Sequence, residues 1–425
     1  GLPQPARSSS AGAPSATQVG KMTEKAHEIM DYGENCVNSQ HNAHFAHRIY
    51  HIDKPSIMSE RKLKIGITHG DVNGIGYEVI IKALEDPRML ELCTPVIYGS
   101  AKIASHYAKI GGLTPLQLTQ ISDLSQARDE HCNIINVVDE SVKVEPGIAS
   151  AEAGKAAFAA LERAVTDLRA GAIDALVTAP INKHNIHSDE FSFPGHTEYL
   201  ESSLGDGEDH ALMILCNDTV RVALVTIHEP ISKVAEMVTR ENVLAKIEAF
   251  ADSLTAAFGI GHPRIAVLAL NPHSGEDGLI GEEEQNEIAP AVEEARQKKI
   301  NCFGPYAADG FWGSGMFKRF DGILAMYHDQ GLAPFKTLAM DAGVNFTAGL
   351  KYVRTSPDHG TGYDIAGTGS ASAESMRQAI YTAIDVLRNR RIHQRITRNP
   401  LRKQYVEKNK KDNVVLDLSK SDDEK

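Results

Sequence analysis

From Lys62 onward the sequence repeats one pattern, a short apolar segment rich in β-branched residues followed by a stretch with helical spacing. KLKIGIT, TPVIYGS, NIINVVD, DALVTAP, VRVALVTI, RIAVLAL and DGILAMY are the apolar segments. Between several of them lie helical patterns. In SAEAGKAAFAALERAVTDLRAG (150–171), small or apolar residues recur at 153, 157, 160/161, 164/165 and 168, and Gly171 supplies a stop. GEEEQNEIAPAVEEARQKK (281–299) has acids in its first turn and bases in its last, matching the helix dipole. Strand–helix alternation of this kind predicts an α/β fold built on a largely parallel sheet.

Three of the apolar runs end in the same way. VRVALVTIHEP reaches His228, RIAVLALNPHSG reaches His273, and DGILAMYHDQG reaches His328. In open α/β sheets, ligands bind outside the carboxyl ends of the strands, which is where these imidazoles fall. A shared metal site and a set of hydrogen-bonded structural histidines are both open readings of that pattern. Three neutral imidazoles would leave coordination positions free, as a catalytic ion requires. Imidazole favours Zn, Co, Ni or Cu over the harder Mn and Mg.

Other polar groups gather around the same segments. DALVTAPINKHN (174–185) places Lys183 just beyond a strand. FPGHTEYLESSL (193–204) reads as a turn feeding a helix, so that Gly195, His196 and Thr197 would present donors at a helix N-terminus, a natural anion site. Lys336, Asn345 and Arg354 follow the third histidine at spacings of eight or nine residues and could hold a phosphate or carboxylate. ITHGDVNGIGYEV (67–79) does not fit G-x-G-x-x-G, which disfavours a Rossmann dinucleotide site there. DHGTGYDIAGTGS (358–370) sets four glycines around Asp364, a loop able to approach a nucleotide through its backbone.

Composition narrows the partners. The net charge of -12 disfavours nonspecific binding to nucleic acid or to an anionic membrane. No apolar run approaches the roughly 18–20 residues of a membrane span, and the N-terminus lacks the apolar core of a secretory signal. Five scattered cysteines without a CxxC point to a reducing cytoplasm rather than a disulfide scaffold. Residues 1–57 begin with a Ser-, Ala-, Pro- and Gly-rich stretch and read as a disordered extension; His44, His47 and His51 there, although at helical spacing, read as adventitious. Residues 402–425 read as a charged, frayed tail.

Five motifs in order, GHTE (195–198), LNPHSGE (270–276), LAMYHDQGL (324–332), GVNFTAGL (343–350) and RTSPDHGT (354–361), resemble the 4-hydroxythreonine-4-phosphate dehydrogenase family of vitamin B6 biosynthesis. The resemblance spans roughly residues 62–395. It implies a two-lobed α/β/α sandwich with mixed, largely parallel sheets, similar to isocitrate and isopropylmalate dehydrogenases. One lobe would take 62–185 plus 337–400 and carry the NAD loop, the other 186–336 with metal and dimer contacts. The family's metal-binding histidines fall on His228, His273 and His328, and its substrate contacts on His196, Thr197, Lys336, Asn345 and Arg354. HGTGYDIAG (359–367) resembles the NAD loop of the isocitrate-type enzymes, which implies cofactor contacts at His359, Gly360, Thr361, Asp364, Ile365 and Gly367. NAD is the expected cofactor, with NADP left open, together with one divalent ion per site: Zn first, then Co, Mn or Mg.

The implied enzyme is a homodimer whose active site is shared, one metal-binding histidine coming from the partner. Its reaction would oxidise 4-phosphooxy-L-threonine, and the 2-amino-3-oxo acid formed would lose carbon dioxide to give 3-amino-2-oxopropyl phosphate. Candidates for the general base are Lys183, Asp309 and Asp329, the last equally able to orient a ligand histidine. A sister enzyme acting on 4-phospho-threonate or 4-phospho-erythronate is the closest alternative. One departure stands out: the first loop reads THGDVNGIG where PG(D/E)PAGIG is expected of the family, so His69, Val72 and Asn73 replace Pro, Pro and Ala.

Overall fold

The computed structural model describes residues 61–399, apart from 140, 188–190, 192, 194, 206–210 and 340–341. The extension expected over 1–57 and the tail expected over 402–425 lie outside the described residues.

All seven apolar segments form strands: β1 (Lys64–Thr68), β2 (Thr94–Gly99), β4 (Cys132–Asn136), β5 (Ala175–Thr178), β7 (Arg221–Leu224), β8 (Arg264–Leu268) and β10 (Gly322–Ala325). Five more complete the sheet: β3 (Leu118–Ile121), β6 (Leu212–Cys216), β9 (Asn301–Tyr306), β11 (Val344–Ala348) and β12 (Val353–Pro357). The single twelve-stranded sheet runs β3-β4-β2-β1-β5-β12-β11-β6-β7-β10-β8-β9. Its neighbours are parallel except at three adjoining pairs, β12–β11, β11–β6 and β6–β7. The sheet is therefore mixed and largely parallel, as the strand–helix alternation predicts. Strands from 62–185 and 337–400 fill one half and those from 186–336 the other, and β11 and β6 join them.

Alternate residues of each strand point to opposite faces, and both faces are covered. On one face Ile65, Ile97, Val177, Ile214 and Ile265 pack into one continuous core with α1 (Gly76–Leu84), a helix at Arg240–Ala256 and the long C-terminal helix at Glu374–Thr397. On the other, Val96, Tyr98 and Leu176 pack on α2 (Ala151–Arg169), while Leu215, Val222 and Ile323 pack on a helix at His328–Ala339. Helix α2 starts where Ser150 Oγ accepts from Ala153 N at 3.2 Å and ends before Gly171, which has φ of 69°. The acidic and basic termini of 281–299 bracket a shorter helix, Ala289–Gln297, entered through one wide π turn at Glu284–Ile288.

The unusual first loop is absorbed into packing. Asn73 is fully buried, its Nδ2 donating to Ile148 O at 2.8 Å and its Oδ1 accepting from Glu145 N at 2.8 Å. His69 is also fully buried, stacked on Tyr77 at 5.2 Å, and among the described residues neither ring nitrogen has a partner in good hydrogen-bond geometry. Burial pushes this imidazole down to about 4. The unfolded chain takes up that proton below about 6.5, the folded chain only near 4. Stability should therefore fall with pH between those values, by roughly 1.4 kcal/mol per unit and about 3 kcal/mol in all. Urea unfolding from pH 4 to 7 should show His69→Leu with a shallower acid limb, by one proton; an unchanged slope would refute the assignment.

Candidate active site

At the carboxyl ends of β7, β10 and β8 the three strand-end loops are tied to each other. Thr226 N and Oγ1 both donate to Met326 O, at 3.1 and 2.8 Å. Gln330 Oε1 accepts from Met326 N at 2.8 Å and its Nε2 donates to Ala269 O at 2.6 Å. Gly331 lets the helix that follows press on the sheet, since a β-carbon there would meet Leu224 and Val222 at 2.8 Å. These ties set His228 and His328 side by side, ring centroids 6.0 Å apart.

Each of the two imidazoles is backed by a carboxylate. Asp329 Oδ1 lies 2.7 Å from His328 Nδ1, and Glu198 Oε1 lies 3.6 Å from His228 Nδ1. The hydrogen bond to Asp329 fixes the His328 tautomer and leaves its Nε2 lone pair for a ligand, whereas Glu198 acts on His228 only as a nearby charge. The His228 contact also holds the Glu198 carboxyl below its usual range. This donor set suits a divalent ion but is incomplete. Among the described residues no three His, Cys, Asp or Glu side chains are grouped to hold a metal. His273 is exposed on the loop after β8 and does not line the cleft.

The histidine pair forms one wall of a cleft of roughly 320 Å³. Lys183, His196, Thr197, Lys336, Asn345 and Arg354 all line it, together with His359 and Gly360. Arg354, on β12, is buried, its Nε and Nη2 donating to Thr178 Oγ1 at 3.0 and 2.6 Å and its Nη1 to Thr347 Oγ1 at 3.2 Å. Its described partners are hydroxyls, and burial pushes it down to about 10, so the cation persists at neutral pH without a contacting counterion. His196 opens the helix His196–Leu204, and burial, then Arg354 and Lys183, hold it well below the ordinary histidine value. His196 Nε2, Asn345 Oδ1 and His359 Nε2 are buried without partners among the described residues. Three orphaned polar atoms in one cleft with a buried guanidinium that no carboxylate contacts among the described residues describe a site shaped for a polar, anionic ligand.

The remaining candidates separate. Of the three candidate bases only Lys183 lines the cleft. Asp309 is exposed on the short helix Ala308–Gly313, and Asp329, 85 % exposed, is turned to His328. Thr361, Asp364, Ile365 and Gly367 carry their loop out of the lining, and Asp364 is exposed. That loop is held from α1: Glu78 accepts from Gly367 N and Gly369 N at 2.5 and 2.8 Å, and Lys82 Nζ donates to Gly369 O at 2.6 Å. Tyr363 OH donates to Asp71 Oδ2 at 2.8 Å. Sequence reasoning left Glu198, Asp358 and Thr178 without a role; the first two are the acids inside GHTE and SPDHGT. Asp358 lies 3.6 Å from Lys336, and burial raises its carboxyl above the usual range.

Comparison with known proteins decides the family. The family model described as pyridoxal phosphate biosynthetic protein PdxA matches residues 91–383. A 4-hydroxythreonine-4-phosphate dehydrogenase of Bacteroides thetaiotaomicron is 56% identical over 366 residues, 86% of this chain and 100% of that protein. The chain belongs to the PdxA family. The crystal structure of the 4-hydroxythreonine-4-phosphate dehydrogenase from Klebsiella pneumoniae, 34% identical, matches with a TM-score of 0.67 over 77% of this chain and 98% of that one. A D-threonate 4-phosphate dehydrogenase of Pectobacterium atrosepticum is 38% identical over 326 residues, 76% of this chain and 98% of its own. As a PdxA-family member the chain is a dehydrogenase of the vitamin B6 biosynthesis group. No helix among the described residues is long and apolar enough to cross a membrane.

Proposed function

We propose that the protein oxidises 4-phosphooxy-L-threonine to 2-amino-3-oxo-4-phosphooxybutanoate, with NAD as oxidant and a divalent cation in the site. The observation that carries this reading is the cleft itself, where a buried Arg354 held by hydroxyls and the orphaned His196 and Asn345 atoms share one cavity with the His228–His328 pair. Arg354, Lys336, Asn345, His196 and Thr197 bind the substrate's phosphate and carboxylate, Arg354 through paired N–H donors. Lys183, once it has given up its own proton to solvent, accepts the C3 hydroxyl proton as hydride passes from C3 to NAD. The resulting 3-oxo acid loses carbon dioxide, and C2 takes up a proton to give 3-amino-2-oxopropyl phosphate. When bound, the cation polarises the reacting oxygen and NAD supplies the hydride acceptor.

Two imidazoles are too few for a tight catalytic zinc site. We assign the third to His273 of a second copy, in a homodimer with shared sites. Supporting this, His273 is exposed and the same loop displays Leu279, 82 % exposed, and Ile280, 43 % exposed. Such apolar side chains beside a polar loop mark a surface that is covered on association. On the NAD side, His359 and Gly360 edge the cleft, and Gly360 has open space where a β-carbon would stand.

The test is NADH formation, followed by absorbance, with metal-loaded protein offered 4-phosphooxy-L-threonine, 4-phospho-D-threonate and 4-phospho-D-erythronate. Turnover should favour the amino acid, stop when a chelator is added, and be lost in His273→Ala. Preference for D-threonate 4-phosphate is the second reading, favoured by the Pectobacterium relative; it would retain the cleft chemistry and move the enzyme out of vitamin B6 synthesis.

A further inference from the structure

The loop that carries His273 has a backbone that needs holding. His273, Ser274, Gly275, Glu276 and Asp277 all have positive φ, from 45° to 79°. Glycine adopts that conformation freely, but each of the other four is disfavoured by roughly 1–2 kcal/mol. Left to itself, the segment would relax and the imidazole would lose its direction. Ser274 Oγ donates to Pro305 O at 3.2 Å, which anchors one point.

The principal restraint is one carboxylate. Glu284 is 3 % exposed and begins the π turn that leads into Ala289–Gln297. Its Oε1 accepts from Leu270 N at 2.8 Å and Asn271 N at 2.7 Å, and its Oε2 accepts from Asn271 Nδ2 at 3.0 Å. The same Oε2 lies against Gly275, where a β-carbon would come within 2.6 Å, and a β-carbon on Gly281 would meet Asn271 Nδ2 at 2.2 Å. So the carboxylate grips the loop at its entry and touches the middle of the left-handed run. A buried carboxylate satisfied by backbone and amide N–H groups is expensive to bury, and is retained where it fixes a geometry.

We propose that Glu284 is a positioning residue: its carboxylate fixes the left-handed turn and thereby aims His273 at the His228–His328 pair of a second copy. The inference rests on the assignment of His273 as the third ligand. It separates two jobs within LNPHSGE and the acidic run after it, with His273 meeting the ion and Glu284 setting where His273 stands.

The experiment uses the full-length protein with Co²⁺ as probe and three variants, Glu284→Ala, Glu284→Gln and His273→Ala. Co²⁺ affinity and the visible ligand-field spectrum are read by titration, and amide exchange over 270–281 is read on the metal-free protein. Glu284→Ala should weaken Co²⁺ about 10- to 100-fold, move the spectrum toward that of His273→Ala, and speed exchange in 270–281. Glu284→Gln, which retains one acceptor oxygen of the same shape, should fold and fall between wild type and Ala. Faster exchange with wild-type affinity and spectrum in both Glu284 variants would overturn the proposal, leaving Glu284 a loop staple only. If His273→Ala itself bound Co²⁺ like wild type, the ligand assignment would fall and the inference with it. A weakened His273→Ala beside unaltered Glu284 variants would refute the inference alone.

Discussion

Arg354→Lys is expected to lower kcat/KM by about a hundredfold to a thousandfold. The guanidinium is buried against the hydroxyls of Thr178 and Thr347 and touches no carboxylate among the described residues. In the free enzyme it is a buried cation that Glu198 offsets only through space, a destabilising element. In the proposed complex a phosphate or carboxylate would supply the opposite charge, and losing one member of such a desolvated pair costs about 3–4 kcal/mol, where each 1.4 kcal/mol is tenfold. Lysine keeps the charge but not the planar fork, so bidentate contact is lost. Arg354→Met should deepen the kinetic defect and raise the melting temperature. Steady-state kinetics and thermal unfolding on the same preparations check both; an unchanged KM together with lower stability would make Arg354 a structural residue.

The second large effect concerns the histidine pair. His328→Ala should reduce turnover by roughly a thousandfold or more, since cation polarisation of the reacting oxygen is worth several kcal/mol. Asp329→Asn should be milder, about 10- to 100-fold, because it disturbs only the orientation and basicity of His328. The two should also differ in rescue. Raising the divalent-ion concentration should restore much of the Asp329→Asn activity and none of the His328→Ala activity. Equal, unrescued losses would instead place Asp329 at the reacting atoms, as a base.

What could be read from the sequence follows the physics of each segment. The seven apolar strands were legible because they are buried on both faces and so run uninterrupted in hydrophobic residues. β11 and β12 were not, because VNFTA and VRTSP turn polar side chains, Asn345 and Arg354, toward the cleft. β9, NCFGPY, hides behind a Gly-Pro pair that ordinarily marks a turn. At the site, the histidines announced themselves by ending apolar runs, and the structure brings His228 and His328 together. His273 could not be placed so simply, since its direction depends on a left-handed turn and on Glu284, fourteen residues beyond Leu270, the residue just past β8 that it grips. Glu198 and Asp358 lay inside quoted motifs, yet an acid's role depends on which cation or imidazole faces it, and that is a fact of three dimensions.

The unbroken sheet has a mechanical consequence. Asn345 stands on β11, His228 follows β7, and only β6 separates those two strands, with antiparallel ladders on either side of it. Neighbouring strands lie about 4.8 Å apart, so the two walls are held about 10 Å from each other by main-chain hydrogen bonds. The cleft therefore works as a length gauge. A phosphorylated acid one carbon longer, gripped at the Arg354 end, would carry its hydroxyl past the histidines, and the floor could widen only by breaking a ladder.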